Sequence, residues 1–318
     1  MLDSLIFSLN AILPLIILVV LGFLLNKYRI LPEPFLLGAD KAVFNLALPV
    51  YLFVETYTAQ GLDELFNPKL IAFCLSAVVV LLLSLCVIVP LIIKDKKTRG
   101  AMIQGIYRTN FAILGIPLAG ALFGDEGTKI AVVLLSTTIP IYNVAAVIIL
   151  SVNTDDGKGK VSVGKVLLNI VKNPLIIAIV LALTLKFTGL ILPAPISKSL
   201  SHIAGMSTPL ALIALGAGFK FSELGGGRLK KAAIAVAFKN VIVPVIMCSA
   251  AILLGFRNAE LGLVFVLFGA PTAVSSYIMA KNMKSDYQLA GQIVLLTTCV
   301  SAFTIFLGTF VMKSAGLI

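Results

Sequence analysis

The sequence predicts an all-α membrane protein of ten transmembrane helices, built as two inverted five-helix repeats whose fourth and ninth helices are broken and cross. Three observations lead there. Hydrophobic residues make up 59% of the 318 and charged residues 12%, with a mean hydropathy of +1.09; soluble domains average about 25% charged. Ten apolar runs reach the roughly 20 residues that a helix needs to cross a bilayer. The later five runs repeat signatures of the first five in the same order.

The runs lie at roughly 5–26, 36–57, 69–93, 100–123 and 128–151, and then at 172–190, 197–219, 230–255, 259–281 and 287–312. The first follows Asp3, with no basic leader and no A-x-A site, so it reads as a spanning helix and not a cleaved signal. The second carries Asp40 near one end and Glu55 near the other. Cys74, Cys86, Cys248 and Cys299 all fall in apolar runs with no metal-ligand spacing, and read as buried small hydrophobes. His202 stands alone. No metal or other cofactor is expected.

The net charge of +11 follows topology. Lys27, Arg29 and Lys41 share one connection, Lys94, Lys96, Lys97 and Arg99 a second, Lys158, Lys160, Lys165 and Lys172 a third, Lys220, Arg228, Lys230 and Lys231 a fourth, and Lys281 and Lys284 a fifth, whereas the opposite side carries only Lys69, Lys129, Lys186, Lys198, Arg257 and Lys313. By the positive-inside rule the rich connections are cytosolic and both termini extracytoplasmic. This distribution does not describe a nucleic-acid surface.

The repeat is visible in "PLIILVVLGFLLNKYRILPEP" (14–34) and "PLIIAIVLALTLKFTGLILPAP" (174–195). Pro14, Pro32, Pro34 and Pro49 match Pro174, Pro193, Pro195 and Pro209 at offsets of 160 or 161 residues. "VLLSTT" (133–138) matches "VLLTTC" (294–299), while "GIPLA" (115–119) meets "GAPTA" (269–273) at 154. The chain therefore divides into a first repeat at 1–151, a cytosolic connection at 152–171 and a second repeat at 172–318. Five is odd, so the second copy enters the bilayer from the opposite side, an arrangement typical of secondary transporters.

The fourth and ninth runs each hold Gly-x-Pro, at Gly115–Pro117 and Gly269–Pro271. Proline removes a backbone donor and clashes with the preceding turn. In lipid, the freed groups need protein, water or ligand. The half-helices after Pro117 and Pro271 then aim partly positive N-termini at the crossing, which suits an anion. Freed carbonyls before the breaks suit a cation. Packing kinks are the alternative. Asn110, seven residues before Pro117, is expected on the same helix face about 10 Å along the axis, as ligand contact or interhelical hydrogen bond. Thr272, Ser275 and Ser276 are expected to share a face after the second break, and Tyr142 and Asn143 of the fifth helix are further candidates. Arg108 and Lys239 lie deep in their runs, as site charges or coupling groups unless they snorkel.

At these residues the chain resembles the auxin efflux carrier family of bacterial malate and malonate permeases and plant PIN-type carriers. "TNFAILGIPLAGALFG" (109–124), "GAPTAVSSYIMAKNM" (269–283), "FNLALP" (44–49) and "FKNVIVP" (238–244) carry the resemblance, which covers nearly the whole chain. It implies the fold of bile-acid transporters and sodium/proton antiporters. Helices 1, 2, 6 and 7 then form a scaffold, with homodimer contact through helices 2 and 7, and helices 3–5 and 8–10 form a moving transport domain. The resemblance puts Asn110 forward as a carboxylate ligand. Leu52 stands where plant members have a serine, which points away from an auxin-like substrate.

The expected function is secondary active transport or uniport of a small organic anion by elevator-type alternating access, in the plasma (inner) membrane of a prokaryote. A Na⁺-coupled symporter or cation/proton antiporter is the alternative. No nucleophile–base pair, metal cluster or phosphate loop points to an enzyme. The expected partners are the anion and the lipid bilayer.

Overall fold

The computed structural model of the chain describes residues 2–58, 67–111, 115–153, 168, 170–218 and 227–318. Most of the 152–171 connection, with Lys158, Lys160 and Lys165, and also Lys220, lie outside the described residues. Among those described there is no β-strand, and helices account for nearly everything. Among the described residues, five helical stretches are long and apolar enough to cross a membrane: Pro68–Ile92, Leu122–Val152, Ala194–Ala217, Gly227–Leu253 and Tyr287–Ser314. Leu13–Lys27, Pro174–Phe187 and Asn258–Gly269 are shorter and apolar. The protein is an all-α membrane protein.

In chain order the helices are α1 (Leu2–Lys27), α2 (Glu33–Ala42), α3 (Leu48–Tyr57), α4 (Pro68–Ile92), α5 (Lys96–Tyr107) and α6 (Ile116–Val152). They continue as α7 (Pro174–Phe187), α8 (Ala194–Gly205), α9 (Ser207–Ala217), α10 (Gly227–Ala237), α11 (Val243–Leu253), α12 (Asn258–Gly269), α13 (Ser275–Asn282) and α14 (Tyr287–Ser314).

Local chemistry sets the starts. Asn67 accepts from the Lys69 and Leu70 amides ahead of Pro68, and Asn173 from the Leu175 amide ahead of Pro174, so each pairs an amide cap with a proline in the first turn. Asp286 caps α14 through the Leu289 amide. Asp95 caps α5 by accepting from the Thr98 amide at 2.8 Å. The Asp95 carboxyl is held below the ordinary carboxylate range, chiefly by its hydrogen bonds with Thr98. A lowered folded-state pKa gives stability that is whole above the unfolded value of about 3.9 and is lost as pH falls through the folded value. Asp95→Ala is expected to cost about 1 kcal/mol near neutrality. Thermal unfolding of the two proteins at pH 7 and in strong acid checks this, and the gap should close in acid.

Two π-helical turns, Val43–Ala47 and Phe238–Ile242, interrupt otherwise continuous helices. Each leads into a helix with proline in its first turn, Pro49 or Pro244. A proline ring collides with the carbonyl four residues back, here that of Asn45 or Asn240, and a widened turn relieves the collision. The second turn also buries Lys239 and Asn240. In α6, Gly124 (φ 63°, ψ −147°) folds a short leading helix back onto a long one. A side chain would strain that backbone.

Packing forms two apolar clusters. One draws on α4, α5, α6, α10, α11, α12 and α14, with Leu70, Ile103, Leu134, Met247, Val264 and Ile293 among its members. The other joins α1, the first π turn, α3, α7 and α9 through residues such as Val19, Leu48, Ile179 and Leu212. Faces of α6, α13 and α14 close onto it with Ala146, Val147, Ile278 and Val294. Helices α1 and α9 approach so closely that a Cβ on Gly22 would strike the Ile213 carbonyl, and one on Gly216 the Val19 carbonyl. The Asn26 amide donates to the Ala217 carbonyl at 2.7 Å and finishes the same seam.

At one end of the bundle the Asp286 amide and the Ser285 hydroxyl both donate to the Lys97 carbonyl, and Arg228 lies 3.7 Å from Asp286. At the other, Asn67 donates to Glu260, and the Lys69 ammonium donates to the Leu254 carbonyl beside the Phe256 ring. Cys74 and Cys248 are buried as the sequence predicts, but Cys86 and Cys299 are exposed. Hydropathy alone does not separate a core face from a lipid face, because both are apolar.

Candidate functional site

The breaks sit elsewhere than the Gly-x-Pro motifs suggest. Helix α5 ends at Tyr107, and Arg108 is already extended (φ −83°, ψ 130°). Helix α12 ends at Gly269, and Ala270 is extended (φ −65°, ψ 152°). The two open segments meet as an isolated antiparallel bridge between Thr109 and Thr272, and the Asn110 amide donates to the Pro271 carbonyl at 2.8 Å. Asn110 is therefore part of the break and not on a helix face shared with Pro117. Pro117 lies in the first turn of α6, where its missing N–H costs nothing. The Arg108 amide keeps its helical bond to the Gln104 carbonyl, and pairing with the 271–272 segment takes over beyond it. Thr272, extended rather than helical, does not share a face with Ser275 and Ser276.

The crossing has two sides. On the side facing the first apolar cluster, the Thr272 hydroxyl donates to the Gly105 carbonyl at 2.6 Å, which satisfies an acceptor freed at the end of α5. The Thr272 amide donates to the Thr297 hydroxyl, and the Asn240 amide to the Thr297 carbonyl. The fully buried Lys239 ammonium donates to the Thr109 hydroxyl. Lys239 thus ties α10–α11 to the back of the crossing.

On the other side is a cavity with an empty volume of about 640 Å³, its open mouth included. Arg108, Asn110, Tyr142, Asn143 and Ser275 of the sequence candidates line it. Gly115, Pro271, Thr272, Ser276 and Lys239 do not, and the Pro117 side chain lies outside what the structure describes. Gly115 packs so close to the Phe111 ring that a Cβ would overlap it, and the Ser276 hydroxyl is buried without a partner among the described residues. The sequence reading missed Tyr51, Phe111, Ser207 and Thr208, which also line the wall. The run "STP" at 207–209, polar in the middle of an apolar stretch, was the available signal for the last two.

Arg108 is the cation of this wall. Its guanidinium donates to the Asn143 side-chain oxygen and to the Met279 sulfur at 2.7 Å. Asn143 in turn donates to the Ile139 carbonyl at 3.0 Å, so its amide is used in holding Arg108. Tyr107 donates its hydroxyl to the Tyr142 carbonyl, and the two rings lie 5.9 Å apart. The Tyr142 hydroxyl is buried beside Thr109 without a hydrogen bond of good geometry. No carboxylate among the described residues contacts Arg108, which is 3% exposed. The Asn110 side-chain amide likewise has no hydrogen-bond partner among them. A buried guanidinium with two neutral partners is an incompletely compensated charge. Beside it open the Asn110 amide and the first turn of α13, with Ser275. The rest of the wall mixes the hydroxyl residues Thr109, Ser207, Thr208 and Ser275 with apolar ones such as Leu48, Leu52, Leu135 and Ile139. Such a site favours an anion with an apolar body.

The model of a family described as membrane transport protein matches residues 7–308. An uncharacterized transporter of Methanocaldococcus jannaschii is 25% identical over 305 residues, covering 94% of this chain and 96% of its own. Another, of Methanothermobacter thermautotrophicus, is 21% identical over 321 residues, covering 96% and 98%.

Proposed function

Because the chain belongs to the membrane transport protein family, we propose that it carries a small organic anion, bound through a carboxylate, across the membrane by alternating access. The observation that carries this reading is the Arg108 guanidinium, buried in a cavity wall with no carboxylate partner among the described residues. Bidentate recognition of a planar carboxylate is what a guanidinium fork does best. Asn110 adds a second polar contact. Asn143 and Met279 hold the fork. Lys239, behind the crossing, fixes the bridge rather than touching the ligand.

The same reading takes the chain as ten spans in two inverted repeats, with the basic connections cytosolic and the membrane that of a prokaryotic cell. The second apolar cluster corresponds to a scaffold, with homodimer contact through its second and seventh spans, and the first to a transport domain. The division between clusters supports a rigid body that moves against a fixed one in an elevator-type stroke. The crossing would travel with the moving body, because its back is bonded to α10–α11 and α14 through Lys239, Asn240 and Thr297.

The test is thermal stability of the purified protein with mono- and dicarboxylates, in Na⁺ and in choline. A ligand that binds only the folded state stabilises by RT ln(1 + [L]/Kd), about 2.7 kcal/mol at a hundred times Kd. A carboxylate is expected to raise the unfolding temperature equally in both salts, and Asn110→Ala to lose most of that rise. A rise with Na⁺ alone would replace this reading with the cation-coupled one.

A further inference from the structure

Asp40 of α2 and Lys281 of α13 form an ion pair. Asp40 lies in α2, three residues before Val43 of the cavity wall. Lys281 lies near the end of α13, three residues after Ile278 of the same wall. The pair therefore closes the groove between these segments about one helical turn beyond the cavity. Asp40 is buried, and Lys281 is mostly shielded. The Lys281 ammonium also sits 5.6 Å from the centres of both the Tyr277 and the Tyr287 rings, and those rings meet edge-on at 6.2 Å.

One carboxylate oxygen is engaged by Lys281. The other, Oδ1, is buried with no hydrogen-bond partner among the described residues. A buried pair with an unsatisfied oxygen contributes little to stability, because the desolvation it requires offsets its attraction. Opening it would hydrate both charges and the orphaned oxygen together. That is a poor rivet and a serviceable latch. Its position matters too. Helix α2 runs into the π turn and α3 of the second apolar cluster, while α13 joins α12 to α14, which build the first. Any displacement of α2 against α13 has to break this contact.

We infer that Asp40 and Lys281, with Tyr277 and Tyr287 as its aromatic walls, are a gate that seals the cytosolic end of the cavity. The inference rests on the transport reading, and its test is independent of any substrate. Val274→Cys places a thiol in the cavity wall, and inside-out vesicles are labelled with a charged, membrane-impermeant thiol reagent, with the unsubstituted chain as background. Asp40→Asn, nearly isosteric, and Lys281→Met are each expected to raise the labelling rate of that thiol about tenfold, the factor that corresponds to 1.4 kcal/mol. Exchanging the pair, Asp40→Lys with Lys281→Asp, is expected to bring the rate back towards the parent. Labelling at the parental rate in Asp40→Asn and Lys281→Met proteins that remain monodisperse on size exclusion would overturn the gate, whatever the carboxylate assay shows. Faster labelling with no carboxylate response would keep the gate and remove the substrate reading.

Discussion

Arg108→Gln is expected to weaken carboxylate binding by two orders of magnitude or more and to abolish carboxylate uptake into proteoliposomes. Truncating one member of a buried, hydrogen-bonded charge pair costs about 2–5 kcal/mol, and each 1.4 kcal/mol is about tenfold in affinity. The loss should sit in binding and not in folding. Among the described residues the Arg108 guanidinium hydrogen-bonds to a side-chain amide and a thioether and otherwise lines the cavity. Removing an uncompensated buried charge relieves desolvation, so the unliganded variant should unfold at or above the parental temperature. Arg108→Lys is expected to fail nearly as badly. An ammonium is a single point of charge and cannot hold Asn143, Met279 and a carboxylate with one planar fork. Calorimetric titration with the best carboxylate, beside thermal unfolding without it, separates the two effects. Parental affinity in Arg108→Gln would end the carboxylate assignment.

Gly216→Val is expected to be a severely damaging change to the α1–α9 seam. The atom its side chain meets is the Val19 carbonyl oxygen, part of the α1 backbone. A crowded side chain can change rotamer, but a helical carbonyl moves only with its helix. Overpacking costs about 1–3 kcal/mol and occasionally more, and this geometry belongs at the top of that range. Gly22→Val attacks the same seam from α1. A loss of about 3 kcal/mol lowers the unfolding temperature by roughly 5 °C in a chain of this size. Gly38→Ala, with nothing within 4 Å of the added Cβ, is the control that should unfold with the parent. Unfolding in detergent micelles decides, and a Gly216→Val protein as stable as the control would show that the helices part freely.

What could be read from the chain beforehand follows from physics that acts locally. Apolar runs mark membrane helices because lipid demands long uninterrupted stretches. Asn67, Asp95, Asn173 and Asp286 announce helix starts because a cap needs only neighbouring amides. The region of the site was legible in Asn110, Tyr142 and Asn143, polar groups in apolar surroundings. The position of the break was not. Pro117 advertises itself, but the opening at 108–110 exists because a second segment supplies the Pro271 carbonyl and the Thr272 hydroxyl, and pairing across 160 residues leaves no local mark. Arg108 and Lys239 look alike in sequence, each a deep cation, yet they occupy opposite sides of the crossing. Which side a residue faces depends on a π turn at 238–242 that shifts the helical phase. Asp40 looked like a charge at the edge of a span, and its burial depends on a lysine that lies far along the chain.

Across the crossing the Asn110 amide donates to the Pro271 carbonyl. Its proton belongs to a residue buried in the cavity wall. In heavy water that proton is a clock. Deuterium reaches it only when the two segments part, so its isotopic age counts the openings of the protein's centre, and a bound anion that holds the segments together would slow the clock without touching it.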